Sequence, residues 1–566
     1  MVLAFVLMGL ILVASPYVYK LMGIAPAPPA DAKSQTANST ATNQANSRTK
    51  SEEQEKAAST ASGTPMVLSD APQVQAAAAN AVSAASEQEQ ILETDRFRVV
   101  FSNRGAVVKS WTLKDHKDSV NKPLELVNEK GALKVGFPFS FTFRGKQPGS
   151  DLNKALWVAH QEGLTMRFEY SDGNTAASKT FAFQRDAYLV QYSDDVSMAG
   201  MGISHLVQWR GGFGDMAAQS AAGQQATLYY DEVKQKLIRE AAKNAKNGPV
   251  TADGQYSFAG IDDQYFAAVF LPESGAQTQT TSFDDTVASA VNGSEDAYPG
   301  VAVGGSARNK MGLYIGPKEI SALHKVNSKL DGLVDWGFFG IIAKPLFLVL
   351  HWINDGFIHN YGWAIIILTV IINIALFPLK LTNLKSMRKM QVLQPEMNKI
   401  TEKYKGIGMS DPRAAGKQQE MMALYKTHGV NPMGGCLPLL VQMPFLWAFY
   451  KVLSVTIEMR HAEWLWIGDL SKPESFTLHM LPLIMVVTSF MLQRMTPVPA
   501  GGDPSQQKMM QFMPLMYLFF FWSASSGLVL YWLTGNVVGI AQQWFFNKTV
   551  VPAAARPMPP QKLKKA

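Results

Sequence analysis

Apolar residues form long unbroken runs in the last third of the chain, whereas the first two thirds mostly alternate polar and apolar positions. The run from Gly362 to Leu379 contains no charged side chain. As a helix it is about 27 Å long, enough to cross the hydrocarbon core of a bilayer. Four basic residues follow it: Lys380, Lys385, Arg388 and Lys389. Such a flank is typical of the cytoplasmic end of a span, so the pattern predicts a membrane-spanning helix over residues 361–379.

Further apolar runs predict five more spans. Four follow the first one, at about residues 435–455, 478–492, 511–525 and 527–546. The fifth is an N-terminal segment, residues 1–24, which we interpret as an uncleaved anchor, with a signal peptide as the alternative. The prediction is a membrane α-helical bundle of six transmembrane helices, five of which form a core.

The region before this core divides into three parts. Residues 25–90 are rich in Ala, Ser, Thr, Asn, Gln and Pro, a composition that predicts a disordered linker. Residues 91–330 contain short runs of period-two alternation separated by Gly, Asp or Asn, which predicts a large all-β sandwich domain. Within it, residues 217–247 are predicted to form a loop or short helix. Residues 331–358 are apolar, so they could form either a further span or an amphipathic helix in the membrane interface; the central Lys344-Pro345 favours the interfacial helix.

Residues 384–428 read as two helical stretches around a breaker. Met390, Met421 and Met422 belong to apolar stripes on otherwise basic helices, which can close into a cytoplasmic hairpin. The charged face is either simply solvated or a docking surface for a partner. The docking candidates are Lys385, Arg388, Lys389, Met390, Met421 and Met422.

The formal charge of +7 is unevenly distributed. Residues 380–430 carry ten basic against four acidic side chains, and the tail 548–566 carries five basic and no acidic ones. These segments all fall on one side under alternating topology, as the positive-inside pattern requires. RNA binding is the alternative explanation, and DNA is not expected as a partner.

Polar side chains interrupt three of the predicted spans. They are Asn373 with Thr369, Gln442, and Asn536. Membrane segments exclude such groups unless something solvates them. One interpretation is interhelical hydrogen bonding, and the other is a shared hydrophilic groove that contains water.

The sequence shows no recognisable catalytic, metal or cofactor site. The pairs Asp262-Asp263 and Asp284-Asp285 are adjacent in sequence, which favours turn formation over paired acid–base work. His160 and His205 have no recognisable partner. The single cysteine, Cys436, is interpreted as a packing residue, and no phosphate-binding G-x-x-x-x-G-K-[ST] motif occurs. A non-enzymatic protein is predicted.

Several motifs of the core resemble the YidC membrane-protein insertase family. The motifs are YGWAIIILTVIINIALFPL, QEMMALYKTHGVNPMGGCLPLLVQMPF, WIGDLS, QQKMMQFMPLMYLFFFW and SGLVLYW. The β domain after a first anchor resembles the diderm form of the family, in which it is a periplasmic super-sandwich. The resemblance implies an insertase core over residues 359–547 and a hydrophilic groove open to the cytoplasm and the lipid.

This resemblance implies a function, partners and a location. The expected function is to insert and help fold nascent inner-membrane proteins, alone or with the Sec translocon. The hairpin and the basic tail are expected to meet the ribosome or the signal recognition pathway, both termini to be cytoplasmic, and the membrane lipids to be contacted. Substrate-contact candidates are Leu446, Tyr531 and Trp532, beside the groove residues Thr369, Asn373, Gln442 and Asn536.

The chain departs from the family pattern at Asn373, where the family commonly has an arginine. Apart from Lys451 near an outer end, the predicted core spans contain no Lys or Arg. The sequence therefore predicts a groove without a fixed positive charge. Two other classes stay open: a secondary transporter, and a periplasmic carbohydrate-binding or carbohydrate-modifying protein with a membrane anchor.

Overall fold

The computed structural model describes most of the chain after residue 80. The described residues are 81–218, 221–289, 291, 293–404, 413–429, 437–475, 478–496 and 504–549. The predicted anchor, most of the predicted linker and nearly all of the basic tail lie outside them, as does Cys436.

The first half of the described chain is a β domain with 18 strands. They are β1 Glu89–Glu93, β2 Phe97–Ser102, β3 Val107–Lys117, β4 Pro123–Glu125, β5 Ser140–Thr142, β6 Val158–Glu162, β7 Thr165–Ser171, β8 Thr175–Ala182, β9 Leu189–Met198, β10 Met201–Gly202, β11 Leu206–Trp209, β12 Ala226–Asp231, β13 Lys236–Glu240, β14 Val250–Asp262, β15 Phe266–Pro272, β16 Gln277–Ala288, β17 Glu295–Gly304 and β18 Arg308–Pro317.

These strands form two antiparallel sheets. A four-stranded sheet has the order β1-β2-β3-β4, and a 14-stranded sheet runs β5-β11-β17-β16-β14-β15-β18-β9-β8-β7-β6, with β10, β12 and β13 at its sides. Strand β14 pairs with β16 through its first half and with β15 through its last residues, so it connects the two parts of the large sheet. The inward faces enclose a core rich in aromatic side chains, including Phe101, Trp111 and Phe181.

Strand β8 shows how the alternating pattern builds this core. Thr175, Ala177, Lys179 and Phe181 are all buried, as period two requires. Lys179 is fully buried, and its Nζ donates to the carbonyl oxygens of Gly105, Ala106 and Phe139 at 2.9, 3.0 and 2.6 Å. The three hydrogen bonds satisfy every donor of the ammonium group, and burial lowers its pKa to about 7.

The prediction of a loop or short helix over residues 217–247 is wrong for its central part. Strands β12 and β13 form a hairpin there, and β12 continues the large sheet by pairing with β14. Leu228 is buried and Tyr230 packs on Phe258, so tertiary packing overrides the helix-forming composition of the segment.

The helices lie mostly in the second half of the chain. They are α1 Glu129–Val135, α2 Ile320–Val326, α3 Gly340–Ile353, α4 Tyr361–Ala375, α5 Phe377–Val392, α6 Gln394–Lys403, α7 Arg413–Thr427, α8 Leu437–Val455, α9 Met480–Met495, α10 Pro504–Phe521 and α11 Ser526–Thr549. Buried residues of α3, α4, α8, α9 and α11 pack into one apolar core.

Length and apolar composition identify few of these helices as possible spans. Among the described residues, α3 with the π turn after it (Gly340–Ile358) could cross a membrane alone, and α4 and α5 meet the same criterion only as a pair bent by 57°. Helix α9 and the segment Phe512–Phe521 are apolar but shorter. The described residues therefore do not confirm the predicted count of six transmembrane helices or the five-helix core. Helix α3, which the sequence predicts to lie in the membrane interface, is the helix that is long and apolar enough by itself to cross a membrane.

The β domain and the helical region meet at a buried junction. After α8, the turn Ile457–Met459 places Ile457 in the core of the β domain and Met459 in the core of the helices. The next residue, Arg460, pairs with Asp215 at 2.6 Å, and their side chains are 4% and 7% exposed. A second polar contact joins Lys472 Nζ to the carbonyl oxygen of Ser119 at 3.1 Å.

Candidate functional site

A sharp bend separates helices α4 and α5. The Asn360 side chain caps the start of α4 by accepting a hydrogen bond from the Trp363 N–H. Pro378 stands in the first turn of α5, where its missing N–H and its ring oppose continuation of α4. The result is the 57° bend, which turns the chain just after Asn373.

A polar cavity of about 150 Å³ opens beside this bend. It lies between α4, α5, α8, α9 and α11, and it is lined by Ile372, Asn373, Leu376, Leu379, Lys380, Asn383, Leu384, Met387, Gln442, Phe445, Leu492, Thr496, Tyr531 and Gln543. Half of these side chains carry a polar group, although the surrounding helices are largely apolar. A cavity of this size with several donors and acceptors can hold water.

Two of the four predicted groove residues line the polar cavity. Asn373 is half-buried and its Nδ2 donates to the Thr369 carbonyl at 2.9 Å, while Gln442 is exposed. Thr369 is fully buried, and its hydroxyl donates to the Ile365 carbonyl of its own helix at 2.7 Å. Thr369 therefore lies outside the cavity lining.

Asn536 also lies outside the cavity. It is 7% exposed, and its Nδ2 is within hydrogen-bond distance of Met485 O at 3.2 Å, Thr488 Oγ1 at 3.2 Å and Ser489 Oγ at 2.7 Å, all on α9. This amide joins α11 to α9, which is the interhelical alternative that the sequence left open.

The predicted substrate-contact residues have different surroundings. Tyr531 lines the polar cavity and stacks on Phe449 with ring centroids 4.4 Å apart. Leu446 is partly buried against the helical core, and Trp532 packs on Tyr517 and Phe521 of α10. Of the three, Tyr531 alone belongs to the cavity lining.

The prediction of a groove without a fixed positive charge is wrong for the described structure. Lys380 lines the polar cavity, and its Nζ donates to Gln542 Oε1 at 2.9 Å. The Gln542 Nε2 in turn donates to the Asn373 carbonyl at 3.0 Å, so one amide bridges both sides of the bend. Lys380 follows the apolar run by one residue and was assigned to the cytoplasmic flank. If the predicted helix is continued past Leu379, Lys380 falls seven residues after Asn373 and on the same face, and this spacing is the sequence signal that could have placed Lys380 beside Asn373.

The two arms of the hairpin enclose an apolar cluster that includes three of its methionines, Met390, Met397 and Met421. Met390, Leu393 and Met397 form a small apolar cluster against Met421, Leu424 and Tyr425 of α7. Lys403 pairs with Glu420 across the hairpin, and Tyr404 also donates to Glu420. Of the predicted docking residues, Lys385, Lys389 and Met422 are exposed, and Arg388 donates to Gln391.

The β domain contains a buried polar cluster that the sequence did not indicate. His205 was predicted to lack a partner, but its Nε2 lies 2.9 Å from Asp194 Oδ1, and Asn309 and Tyr192 also bond to Asp194. His205 and Asp194 are 0% and 2% exposed, so this pair is part of the core and has no surface for a substrate.

The adjacent aspartates have separate structural partners. Asp263 accepts from the N–H groups of Tyr265 and Phe266 in a turn, and Asp285 pairs with Arg210. Within the described ranges, no group of three His, Cys, Asp or Glu side chains could hold a metal ion.

Comparisons with known proteins cover both regions. Residues 352–553 match the family described as 60Kd inner membrane protein, and residues 90–349 match the YidC periplasmic domain family. A relative named membrane protein insertase YidC, from Syntrophus aciditrophicus (strain SB), is 33% identical over 485 residues, covering 82% of this chain and 85% of the relative.

Two further matches have the same extent. A membrane protein insertase YidC from Geotalea uraniireducens (strain Rf4) is 34% identical over 493 residues, covering 82% of this chain and 88% of the relative. A crystal structure of an active YidC insertase with its first transmembrane domain resolved is 19% identical, with a TM-score of 0.35, and covers 82% of this chain and 94% of that chain.

Proposed function

Because the chain belongs to the YidC family of membrane protein insertases, we propose that it inserts nascent membrane proteins by way of the polar cavity beside the α4–α5 bend. The observation that carries the proposal is the lining of that cavity, where polar side chains gather among apolar helices. The protein is an inner-membrane protein with a periplasmic β domain, as the matched family descriptions indicate.

The physical argument concerns the cost of moving a polar segment through hydrocarbon. Each uncompensated polar group costs several kcal/mol in an apolar environment. The amides of Asn373 and Gln442 and the hydroxyl of Tyr531 offer donors and acceptors at the point where the chain of the client would otherwise meet lipid. The client's apolar segment leaves sideways into the lipid, driven by burial of its apolar surface. No covalent step and no cofactor are part of this mechanism.

The bend gives the cavity its position. Helix α5 turns away from α4 by 57°, so the two helices do not fill the space in front of α8 and α11. The exposed apolar residues Ile371 and Ile374 beside it, and Phe519 and Phe520 on α10, are suited to contact lipid. These neighbours support a cavity that borders the bilayer.

The proposed function also includes partners other than the client protein and the membrane lipids. The exposed Lys385, Lys389 and Met422 support docking of the hairpin on a ribosome or on the signal recognition pathway. Cooperation with the Sec translocon, and cytoplasmic termini, are implied by the family resemblance. The buried surroundings of Asp194 and His205 favour a structural over an enzymatic role of the β domain.

The test replaces both cavity amides, Asn373→Leu with Gln442→Leu, in the full chain reconstituted into vesicles. Insertion of a single-span client is expected to fall at least tenfold, because water loses two of its partners. The matched control is Asn398→Leu, an exposed asparagine of the hairpin outside the cavity. Insertion at the wild-type rate by the double variant would show that the polar cavity is not the route.

A further inference from the structure

A tight turn in the loop between α8 and α9 presents apolar side chains to the surface. Two backbone hydrogen bonds join Trp464 and Ile467, each 2.8 Å from N to O, and leave Leu465 and Trp466 at the tip. Trp464 and Ile467 are buried, whereas Leu465 is 66% exposed and Trp466 is 49% exposed. The turn therefore carries two large apolar side chains outward on a short, hydrogen-bonded support.

Leu465 has a backbone conformation that leucine rarely adopts. Its φ is +50°, in the left-handed region, at a turn position where glycine is favoured. The strain is not repaid by burial of the leucine side chain within this chain. A strained residue that stays exposed favours a role in contact with a partner surface.

The surrounding helices hold the turn in place. A Cβ built on Gly362 of α4 would lie 2.2 Å from Trp464 Cδ1, so this indole packs directly on the helix backbone. Trp466 Nε1 donates to Glu474 Oε1 at 2.8 Å. The second oxygen of this buried carboxylate accepts from the Leu481 N–H of α9, also at 2.8 Å. The exposed ring of Trp466 is thereby oriented relative to α9.

The tip of the turn continues an exposed apolar side of α4. Trp363 is 45% exposed and meets Trp464 edge to face, with ring centroids 5.7 Å apart, and Trp464 in turn lies 5.9 Å from Trp466. Further along α4, Ile371 and Ile374 are 49% and 62% exposed. Positions 363, 371 and 374 share one side of the helix, which is the side suited to contact lipid.

Other contacts of the same loop show at which end of α4 the turn lies. Arg460 pairs with Asp215 of the β domain at 2.6 Å. Lys472 Nζ donates to the Ser119 carbonyl of the same domain at 3.1 Å. Because the β domain is periplasmic, the turn lies at the periplasmic end of α4. Glu463 directly precedes the turn and is exposed, which limits penetration of the tip to headgroup level.

We propose that Trp363, Leu465 and Trp466 form an outer anchor, which inserts at headgroup level into the periplasmic leaflet of the membrane and fixes the depth of α4. Tryptophan suits this level because its ring is apolar and its N–H is polar. Asn373 follows Trp363 by ten residues, about 15 Å along the helix, so the outer anchor also sets the depth of the polar cavity. The anchor contacts lipid only, so its presence is independent of the route by which clients insert.

A single fluorescent label measures the depth of the tip. Cys436→Ser removes the one cysteine of the chain, and Leu465→Cys then carries an environment-sensitive fluorophore in the full chain reconstituted into vesicles. The quenchers are lipids with a nitroxide near the headgroup, lipids with a nitroxide near the end of the acyl chain, and aqueous iodide. The shallow nitroxide is expected to quench the label most strongly. The matched control is Met201→Cys, an exposed position paired with the end of β9 that lies farthest from the junction, and iodide alone should quench it.

Three results at position 465 would overturn the outer anchor. Quenching by iodide and by neither lipid would mean that the tip lies in water. Resistance to all three quenchers would mean that protein covers it, either a second copy of this chain or a client. Strongest quenching by the deep nitroxide would place the tip in the acyl core, below headgroup level.

A second label tests whether the outer anchor fixes the depth of α4. With the fluorophore on Ile371→Cys, Leu465→Asp is expected to raise the ratio of shallow to deep quenching, because a carboxylate at the tip is driven outward into water and α4 follows it. Aspartate tolerates the left-handed conformation, so the Tm of the detergent-solubilised chain should not fall. Met201→Asp is the control and should leave the quenching ratio unchanged. An unchanged ratio for Leu465→Asp at an unchanged Tm would show that the turn does not set the depth of α4. Neither label involves a client, so failure here leaves the test of the proposed function untouched.

Discussion

Replacement of Arg460 by methionine tests the junction between the β domain and the helical region. Arg460 Nη2 lies 2.6 Å from Asp215 Oδ2, and its guanidinium carbon lies 5.4 Å from the ring centre of Tyr265 and 5.3 Å from that of Phe266. Methionine keeps much of the apolar stem but removes the charge and its hydrogen bonds. Asp215 then remains buried without its counter-ion.

The expected loss follows from the burial of the pair. Breaking a buried ion pair by removing one partner costs about 3–5 kcal/mol. Asp215 keeps hydrogen bonds from Ser119 Oγ at 2.6 Å and from the Ala217 N–H at 3.0 Å, so we expect a loss at the lower end, about 3 kcal/mol. For a domain of this size that corresponds to a decrease in Tm of about 6–12 °C.

The assay is thermal unfolding of the detergent-solubilised chain, followed by near-UV circular dichroism of the β domain. A matched control exists in Arg308→Met, because Arg308 also pairs with an aspartate, Asp195, at 2.6 Å but has a side chain that is 70% exposed. Exposed pairs contribute about 0–1 kcal/mol, so this control should shift Tm by less than about 4 °C. Equal shifts for the two variants would refute the reasoning from burial. Adding Asp215→Asn to Arg460→Met should recover part of the loss.

Two further predictions concern a carboxyl group and an amide. Burial raises the pKa of the Glu458 carboxyl from 4.5 to about 7. Between these two pH values the carboxyl ionises in the unfolded chain before it ionises in the folded one, so the free energy of unfolding falls as pH rises. Glu458→Gln should therefore stabilise the protein by up to about 3 kcal/mol at pH 8 and not at pH 4, as measured by unfolding at both pH values. Equal effects at the two pH values would contradict this. Asn536→Ala should destabilise the helical region by about 0.5–2 kcal/mol, because it removes the amide that links α11 to α9, and should slow insertion less than the loss of Asn373 and Gln442. Abolished insertion with unchanged unfolding would instead place Asn536 in the route of the client.

Local features of the sequence determined much of the architecture. Period-two alternation gave most strands of the β domain, because one face of each strand must be apolar to form the core. The predicted helix over residues 361–379 is interrupted after Ala375, and Pro378 is the local reason, because its ring and its missing N–H oppose an unbroken helix through this position. The hairpin followed from the spacing of Met390, Leu393 and Met397, which places them on one face.

Other features depended on which element packs against which. Residues 226–240 are strands because β14 offers a free edge, and nothing in their composition indicates that edge. The partner of His205, which directly precedes β11, is Asp194 of β9, eleven positions earlier, so only the tertiary fold brings them together.

The polar cavity shows the same division. The sequence by itself determined that Asn373, Gln442 and Asn536 interrupt apolar runs, because residue type and spacing are local. The tertiary structure alone decided that Asn536 bonds to α9, whereas Gln442 and Lys380 face the cavity. Helical periodicity fixes which residues share a face of one helix, but the rotation of each helix about its axis depends on the side chains of its neighbours. For Lys380 one such neighbour is Gly539 of α11, where an added Cβ would lie 3.0 Å from Leu492 Cδ2 and 3.3 Å from Lys380 Nζ.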